Sequence, residues 1–364
     1  MNLKEDKEGG FGIKSYIQLK YEKNVVNCLI IFVGVLLIIF VGYSMVFHEA
    51  LKCGDGTAYG ECSMRKPYFC KEGSLVENAP VCGCSNLSVA SQTFLLYVPD
   101  YSCKFKYKTN PKNITLKYVL RGQEGRINFV VYGGLADYLS GLPRSISYEG
   151  DNKPSRADFK FRNLDDEWQR ELLLPLVTEI QNLEVSDTDK MRIAVSLVQK
   201  IPYGESEKRG DLIDKSFSYS RYPYEVLYDM EGVCGEKSEL LAFLLREMGY
   251  GVAFFYHQEE NHESIGIKCP KIFSLDNTGY CFIETTGPSI ITDNKIIYAD
   301  SGKLESEPEV IPISEGDSLG WNLYEYDDAK DLIKLKEKGV SMFSSGKFDE
   351  LKEKYDLVGM YRGG

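Results

Sequence analysis

The sequence predicts an α+β protein whose helices pack on an antiparallel sheet, preceded by a membrane helix, a disulfide-rich segment and a small β-region. Three observations carry this expectation. The run from Val25 to Phe47 contains no charged residue. Six cysteines, Cys53, Cys62, Cys70, Cys82, Cys84 and Cys103, crowd the stretch that follows, among Gly, Ser and Pro. From about Asp165 apolar residues recur at helical spacing, and beyond Gly249 the period becomes that of strands. Runs of helices followed by runs of strands are the mark of an α+β fold.

Bulk properties narrow the function. A chain of 364 residues accommodates one large or two moderate domains, and 43% apolar with 27% charged residues is ordinary for a folded protein. A net charge of -11 argues against a nucleic-acid partner, because phosphate contacts need clustered Lys and Arg. Neither a Walker loop nor a dinucleotide-binding glycine fingerprint is present. With only three histidines, His48, His257 and His262, a His-rich metal site is not expected.

Residues 1–24 are polar and mixed in charge, and read as a cytoplasmic tail. Residues 25–47 match one crossing of the hydrocarbon core, and Leu29–Phe40 is apolar all round. A cleaved signal peptide would have a shorter apolar region and small residues before a cut site, so a signal-anchor helix is expected. Five lysines precede this helix, against Lys52, Arg65 and Lys66 soon after it, a small bias toward a cytoplasmic N-terminus.

The cysteine-rich segment, 53–103, offers little core and needs covalent staples. An even-numbered cluster in a loop-rich stretch reads as a disulfide framework in an oxidising compartment. Irregular spacing and the lack of nearby histidine disfavour a zinc knuckle. Two sequons, Asn86-Leu-Ser88 and Asn113-Ile-Thr115, are glycosylation candidates on an exported face. The expected location is the cell membrane, single-pass, with the body of the chain outside.

The β-region, 104–160, is read from Ile114–Leu120 and Ile127–Tyr132, with Phe94–Val98 before them, all rich in branched and aromatic residues. Residues 161–310 hold the main domain. Trp168, Leu172, Leu173, Leu176, Val177 and Ile180 fall on one helical face, with Pro175 expected to kink or divide the helix. Ser186 caps a second helix, which ends before Pro202 in Gln199-Lys-Ile-Pro-Tyr203. A third carries Leu240, Leu241, Leu244, Leu245 and Met248, with Gly249 as its stop. Strands are expected at Val252–Tyr256, Ser264–Lys268, Tyr280–Glu284 and Lys295–Tyr298. The C-terminal segment, 311–364, reads as solvated surface helices around Ala329, Leu332, Ile333 and Leu335, then Phe348, Leu351 and Tyr355.

Cys234 stands at or just before the first turn of the third helix. Unpaired N–H groups and the helix macrodipole there favour thiolate over thiol. The same position suits a small buried cysteine at the end of a core helix. A thiol nucleophile needs a base and a group that orients the base. His262 opens one strand and Glu284 ends the next, so antiparallel pairing would set them side by side. His257, closing the preceding strand, competes as the base, and Glu284 alone would pass for a strand-end surface charge.

Taken in order, three stretches resemble the transglutaminase-like superfamily. These are Gln199-Lys-Ile-Pro-Tyr203, then Tyr222-Pro-Tyr-Glu225 with Gly232-Val-Cys-Gly-Glu-Lys-Ser238, then His262–Gly266 with Tyr280–Thr286. The likeness spans roughly 185–300. It implies a papain-like core with Cys234 as nucleophile, His262 as base and Glu284 as orienting acid. Many members have Asp in the third position, and Glu284 is one methylene longer. The resemblance further implies acyl transfer on peptide amide bonds through a thioester, by a peptidase or amidase that needs no metal or organic cofactor. The Cys234 N–H, with Tyr203 as a side-chain donor, would form the oxyanion site. A cross-linking transglutaminase is the alternative outcome, as is a non-catalytic surface binding module on the same core. The stretch from Cys53-Gly-Asp-Gly-Thr57 to Cys84 is similar to membrane-anchored archaeal proteins. Cysteine parity agrees: Cys28 falls in the membrane helix, six cysteines form the cluster, and Cys269 and Cys281 flank the loop between the two proposed catalytic strands, which leaves Cys234.

Overall fold

The structure, a computed structural model, describes residues 32–34, 52–86, 88–90, 94–95, 98–99, 103–204, 209–212, 215–218, 220–298, 302–337 and 346–357. Two units are distinguished, Met1–Leu51 and Lys52–Gly364. In the first, only the helical residues 32–34 are described, so the expected membrane segment 25–47 and its Cys28 lie outside the described residues. Among the described residues no helix is long and apolar enough to cross a membrane.

The second unit begins with a disulfide-tied hairpin, β1 (Tyr68–Lys71) and β2 (Ser74–Glu77). Cys53 pairs with Cys70, Cys62 with Cys82 and Cys84 with Cys103. Its apolar centre is small, Cys53, Tyr68, Cys70 and Leu75, as expected of a segment held by covalent links. The run Phe94–Val98 is not one strand: Phe94 pairs with Pro99 and Leu95 with Val98. Asn86 and Asn113 are both exposed.

The β-region is one long hairpin, β3 (Pro111–Leu120) and β4 (Gln123–Tyr132), turned at Arg121-Gly122 with both residues at positive φ. Its alternating inward residues, Ile114, Leu116, Ile127, Phe129 and Val131, join the same core as the helices. Five helices follow: α1 (Gly133–Ser140), α2 (Arg156–Leu164), α3 (Glu167–Gln181), α4 (Asp187–Lys200) and α5 (Pro223–Asp229). Sequence periodicity passes over α1 and α2, although Ser155 and Asp158 form a reciprocal capping box at the start of α2. Pro175 lies inside an unbroken α3 rather than dividing it. A mid-helix proline costs about 3 kcal/mol, while full burial of Leu172, Leu173, Leu176, Val177 and Ile180 returns about 2 kcal/mol each.

The central helix, α6 (Cys234–Glu247), is buried on nearly every side from Glu236 to Leu245. It closes in a Schellman motif, with Tyr250 N–H bonding Leu245 O at 3.1 Å and Gly249 N–H bonding Arg246 O at 2.9 Å. Gly249 takes φ +96°, which a side chain would oppose.

Against α6 packs a four-stranded antiparallel sheet of β5 (Val252–His257), β6 (His262–Lys268), β7 (Tyr280–Ile283) and β8 (Glu309–Ser314), in the order β7-β6-β5-β8. One face, Val252, Phe254, Ile265, Ile267, Cys281 and Ile283, meets the helices; Phe255 and Phe282 face a second cluster with Leu275 and Ile296. Gly266 lets the Phe255 ring cross β6, since a Cβ there would lie 2.8 Å from that ring. The fourth strand is not Lys295–Tyr298, of which only Ile297–Tyr298 is extended, paired with Gly302–Lys303. β8 takes that place; its Pro312 reads as a strand breaker in sequence but is tolerated because β8 is an edge.

The C-terminal helices, α7 (Tyr324–Glu337) and α8 (Gly346–Tyr355), are not simply solvated. Ala329, Leu332, Phe348, Leu351 and Leu357 close a satellite core over Ile290. The fold is therefore mixed α+β, with antiparallel sheets among the described residues.

The Cys269–Cys281 disulfide closes the loop between β6 and β7, a separation of 12 residues. Replacing both cysteines by serine is expected to lower the unfolding free energy by about 3 kcal/mol, read from urea denaturation. An unchanged midpoint would mean that the loop is already constrained without the bond.

Candidate active site

The approach to Cys234 is built from main-chain contacts and one buried carboxylate. Helix α5 stops at Met230, which adopts the left-handed conformation with φ 57°. Gly232 N–H then reaches the carbonyl of Pro202 at 3.3 Å, and Gly204 N–H returns to the carbonyl of Gly232 at 3.4 Å. Glu236, 2% exposed, accepts from Val233 N–H at 3.1 Å, from Arg221 N–H at 2.7 Å and from the Arg221 guanidinium at 3.1 Å. Thus the loop that delivers the thiol is pinned from both sides, and α6 starts at Cys234 itself. Cys234 is half-buried and is the free cysteine of the described residues.

Sheet register supplies the imidazole and the carboxylate. His262 pairs across with His257, and Ile265 with Ile283, so Glu284, just past β7, falls opposite Ser264 and on the same face as His262. His262 Nε2 and Glu284 Oε2 are 2.9 Å apart, with side chains 7% and 0% exposed. Glu284 Oε1 accepts from Thr285 N–H at 2.9 Å, Thr286 N–H at 2.8 Å and Thr286 Oγ1 at 2.7 Å. The Cys234 side chain acts on the same imidazole, raising its pKa together with Glu284. Because Glu284 engages Nε2, Nδ1 is the nitrogen left for sulfur. Thr285 Oγ1 joins the two halves from below, 3.4 Å from Cys234 O and 3.0 Å from Ser238 Oγ.

Of the two histidines left open by sequence, His262 reaches the cysteine and carboxylate. His257 is committed elsewhere, with Nδ1 2.8 Å from the carbonyl of Ser306, and burial holds its pKa below the ordinary value. For His262, burial is the largest single influence and acts downward. Hydrogen bonds to Cys234 and Glu284, with their charges, together outweigh it and raise the imidazole to about 10. Tyr203 pairs its backbone with Gly232, two residues before the cysteine, and the residue is 53% exposed.

Sequence reasoning missed three supporting groups. Gln199 Nε2 donates to Glu284 O at 2.9 Å and to Ser289 Oγ at 3.1 Å, so the end of α4 holds the strand that carries the carboxylate. Lys237 is fully buried, and burial pushes its pKa down to about 7 against the pull of Glu284. Its position three and four residues before Leu240 and Leu241 puts it on the apolar stripe of α6, a signal readable in sequence. Lys160 lies between Glu239 and Glu263 at 2.7 and 2.6 Å, beside Gly235. Among the described residues no group of three or more His, Cys, Asp or Glu is arranged to hold a metal ion.

No protein-family model matches the chain, and no curated protein does. Among solved structures it matches calcium-bound Legionella pneumophila LapG at 13% identity, over 49% of this chain and 98% of that one, with a TM-score of 0.24. A likeness of that size carries no argument about fold or chemistry.

The two shifted cations act oppositely on stability. His262, raised from 6.5 to about 10, gives stability that is full below pH 6.5 and lost as pH rises through about 10. Lys237, lowered from 10.5 to about 7, imposes a penalty that is full below pH 7 and relieved toward pH 10.5. Between pH 7 and 10 the two slopes oppose each other. Replacing His262 by Asn should therefore make the urea midpoint rise with pH relative to wild type across that window. Parallel midpoints for variant and wild type from pH 7 to 10 would refute the assignment.

Proposed function

We propose that the chain is a membrane-anchored, extracytoplasmic cysteine hydrolase of the transglutaminase-like kind, acting on peptide or isopeptide amide bonds through a thioester. One observation carries the reading: the His262 imidazole is bonded to the buried Glu284 carboxylate and is also acted on by Cys234, the first residue of α6. The four disulfides support an oxidising, exported setting for this unit.

In the proposed cycle Cys234 attacks as the thiolate, its proton already resting on the His262 imidazolium, and sulfur bonds to the amide carbonyl carbon to form the C–S bond. The oxyanion that develops is met by the Cys234 N–H, one of the first-turn donors of α6 without an intrahelical acceptor. Tyr203, across the bridge to Gly232, is the candidate second donor. His262 then passes its proton to the leaving amine as the C–N bond breaks. Water, deprotonated by His262, attacks the thioester, releases the carboxylic acid and restores the thiol. Glu284 keeps the ring in one tautomer and stabilises the imidazolium. Water is favoured over an amine as acceptor because it is the default acceptor and needs no binding site of its own, and Cys234 is half-buried rather than enclosed.

Incubating the full chain with a peptide library should give pairs of fragments whose masses sum to that of the parent peptide plus one water. Products that lose ammonia and join two peptides would instead mark a cross-linking transglutaminase. Cys234→Ala should abolish both turnover and labelling by a thiol-directed probe. Glu284→Gln should keep the fold and lower kcat by about 10²- to 10⁴-fold, as expected when an orienting carboxylate is lost. Probe labelling of Cys234→Ala equal to wild type would remove the basis of the proposal.

A further inference from the structure

We infer that Lys237 is a positioning residue: its ammonium gathers the end of α4 and the Glu284 strand end onto the first turn of the helix that carries Cys234. The inference rests on the acyl-transfer reading above and adds a residue which that cycle does not use. Lys237 Nζ donates to Ile201 O at 2.6 Å, to Thr286 O at 3.1 Å and to Gln199 O at 3.4 Å. Two of these carbonyls belong to the end of α4, whose Gln199 side chain also holds Glu284 O at 2.9 Å. The third belongs to Thr286, whose N–H and hydroxyl bind the Glu284 carboxylate. Lys237 is one helical turn after Cys234, and its N–H makes the first-turn bond to Val233 O at 2.9 Å. A single side chain therefore ties together the segments bearing the thiol and the carboxylate.

The surroundings are shaped for this side chain. Lys237 has no exposed surface. Its stem runs past Gly232, where a Cβ would come within 3.2 Å of Lys237 Cγ, so glycine two residues before Cys234 makes room for the lysine. An apolar residue of equal length would fill the space but leave three buried carbonyls without their donor. One nitrogen on this stem can donate to several carbonyls at once, with three N–H groups as the ammonium held below about pH 7 and two as the amine above it. Glu284 is the charged group acting on Lys237.

The test is a double-mutant cycle on the rate at which iodoacetamide alkylates Cys234 in the full-length chain, which needs no substrate. Lys237→Met should slow alkylation about tenfold through misplacement of the Glu284–His262 pair. It should add little to the loss already caused by Glu284→Gln, because the lysine acts through that carboxylate. Lys237→Gln keeps two N–H donors and should recover part of the rate; it also runs the same cycle should Lys237→Met fail to fold. Rates for Lys237→Met within twofold of wild type would overturn the inference. So would losses that multiply in the double variant, the mark of general destabilisation, or a Gln variant no faster than Met. Failure of the enzymatic reading looks different: alkylation would then be unaffected by His262→Asn, whatever Lys237 does.

Discussion

The Glu284 carboxylate is the constraint around which this site is organised. It accepts four hydrogen bonds, three on Oε1 from Thr285 and Thr286 and one on Oε2 from His262. A carboxylate at 0% exposure is stable only when its oxygens are satisfied in this way. Satisfying them bends the chain sharply just beyond β7. That bend brings Thr285 under Cys234 and Thr286 to Lys237, and it fixes the plane in which His262 must lie. The sheet supplies register and the helix supplies the thiol, but their meeting depends on this turn.

Charge is buried around the site in matched pieces rather than singly. Glu236 is set against Arg221, and Lys160 against Glu239 and Glu263. Such pairs contribute little net stability, because desolvation consumes most of the Coulombic gain. What they confer is geometry, since a half-satisfied network costs more than an apolar core and only one arrangement satisfies all members. Lys160 and Glu263 lie beside Gly235 and behind His262, so the residues following the cysteine and the histidine share one rigid support. Lys237 differs, being set on neutral carbonyls, with the Glu284 charge acting on it.

Local signals made much of this legible. The Leu240–Leu245 stripe, the Ser186 cap, the strands around Phe254 and Ile265, and the order of Cys234, His262 and Glu284 could all be read from periodicity and residue type. What escaped was set by tertiary context. Glu309–Ser314 contains Pro312 and does not read as a strand, its residues from 311 on falling in the expected C-terminal helical segment, yet an edge strand needs fewer N–H donors and accepts the proline. Pro175 reads as a break, yet the burial around it outweighs one lost hydrogen bond. Ala329 and Leu332 read as a thin surface stripe, because their partners Phe348 and Leu351 come from another helix and Ile290 from a loop. Gln199 gives no sign of a site role, since long polar side chains usually mark solvent, and Lys237 gives only its place on the apolar stripe of α6; the folded chain alone places carbonyls around it.

The longer side chain at the third position is explained by the same turn. Sequence alone leaves it uncertain whether a glutamate, one methylene longer than aspartate, can hold His262. Glu284 faces two demands at once: Oε2 must reach Nε2 across the strand, while Oε1 must lie under the N–H groups of the next two residues. An aspartate carboxylate sits closer to its own backbone, so it would give up the cross-strand bond to keep the turn, or the turn to keep the bond. The extra methylene lets one carboxylate do both. It also requires the peptide units of Thr285 and Thr286 to be held where they are, and that restraint comes from the Cys234 carbonyl, Ser238 and Lys237 on α6. The helix that presents the sulfur thus also fixes the turn that orients the imidazole, so thiol and imidazole are held by one support.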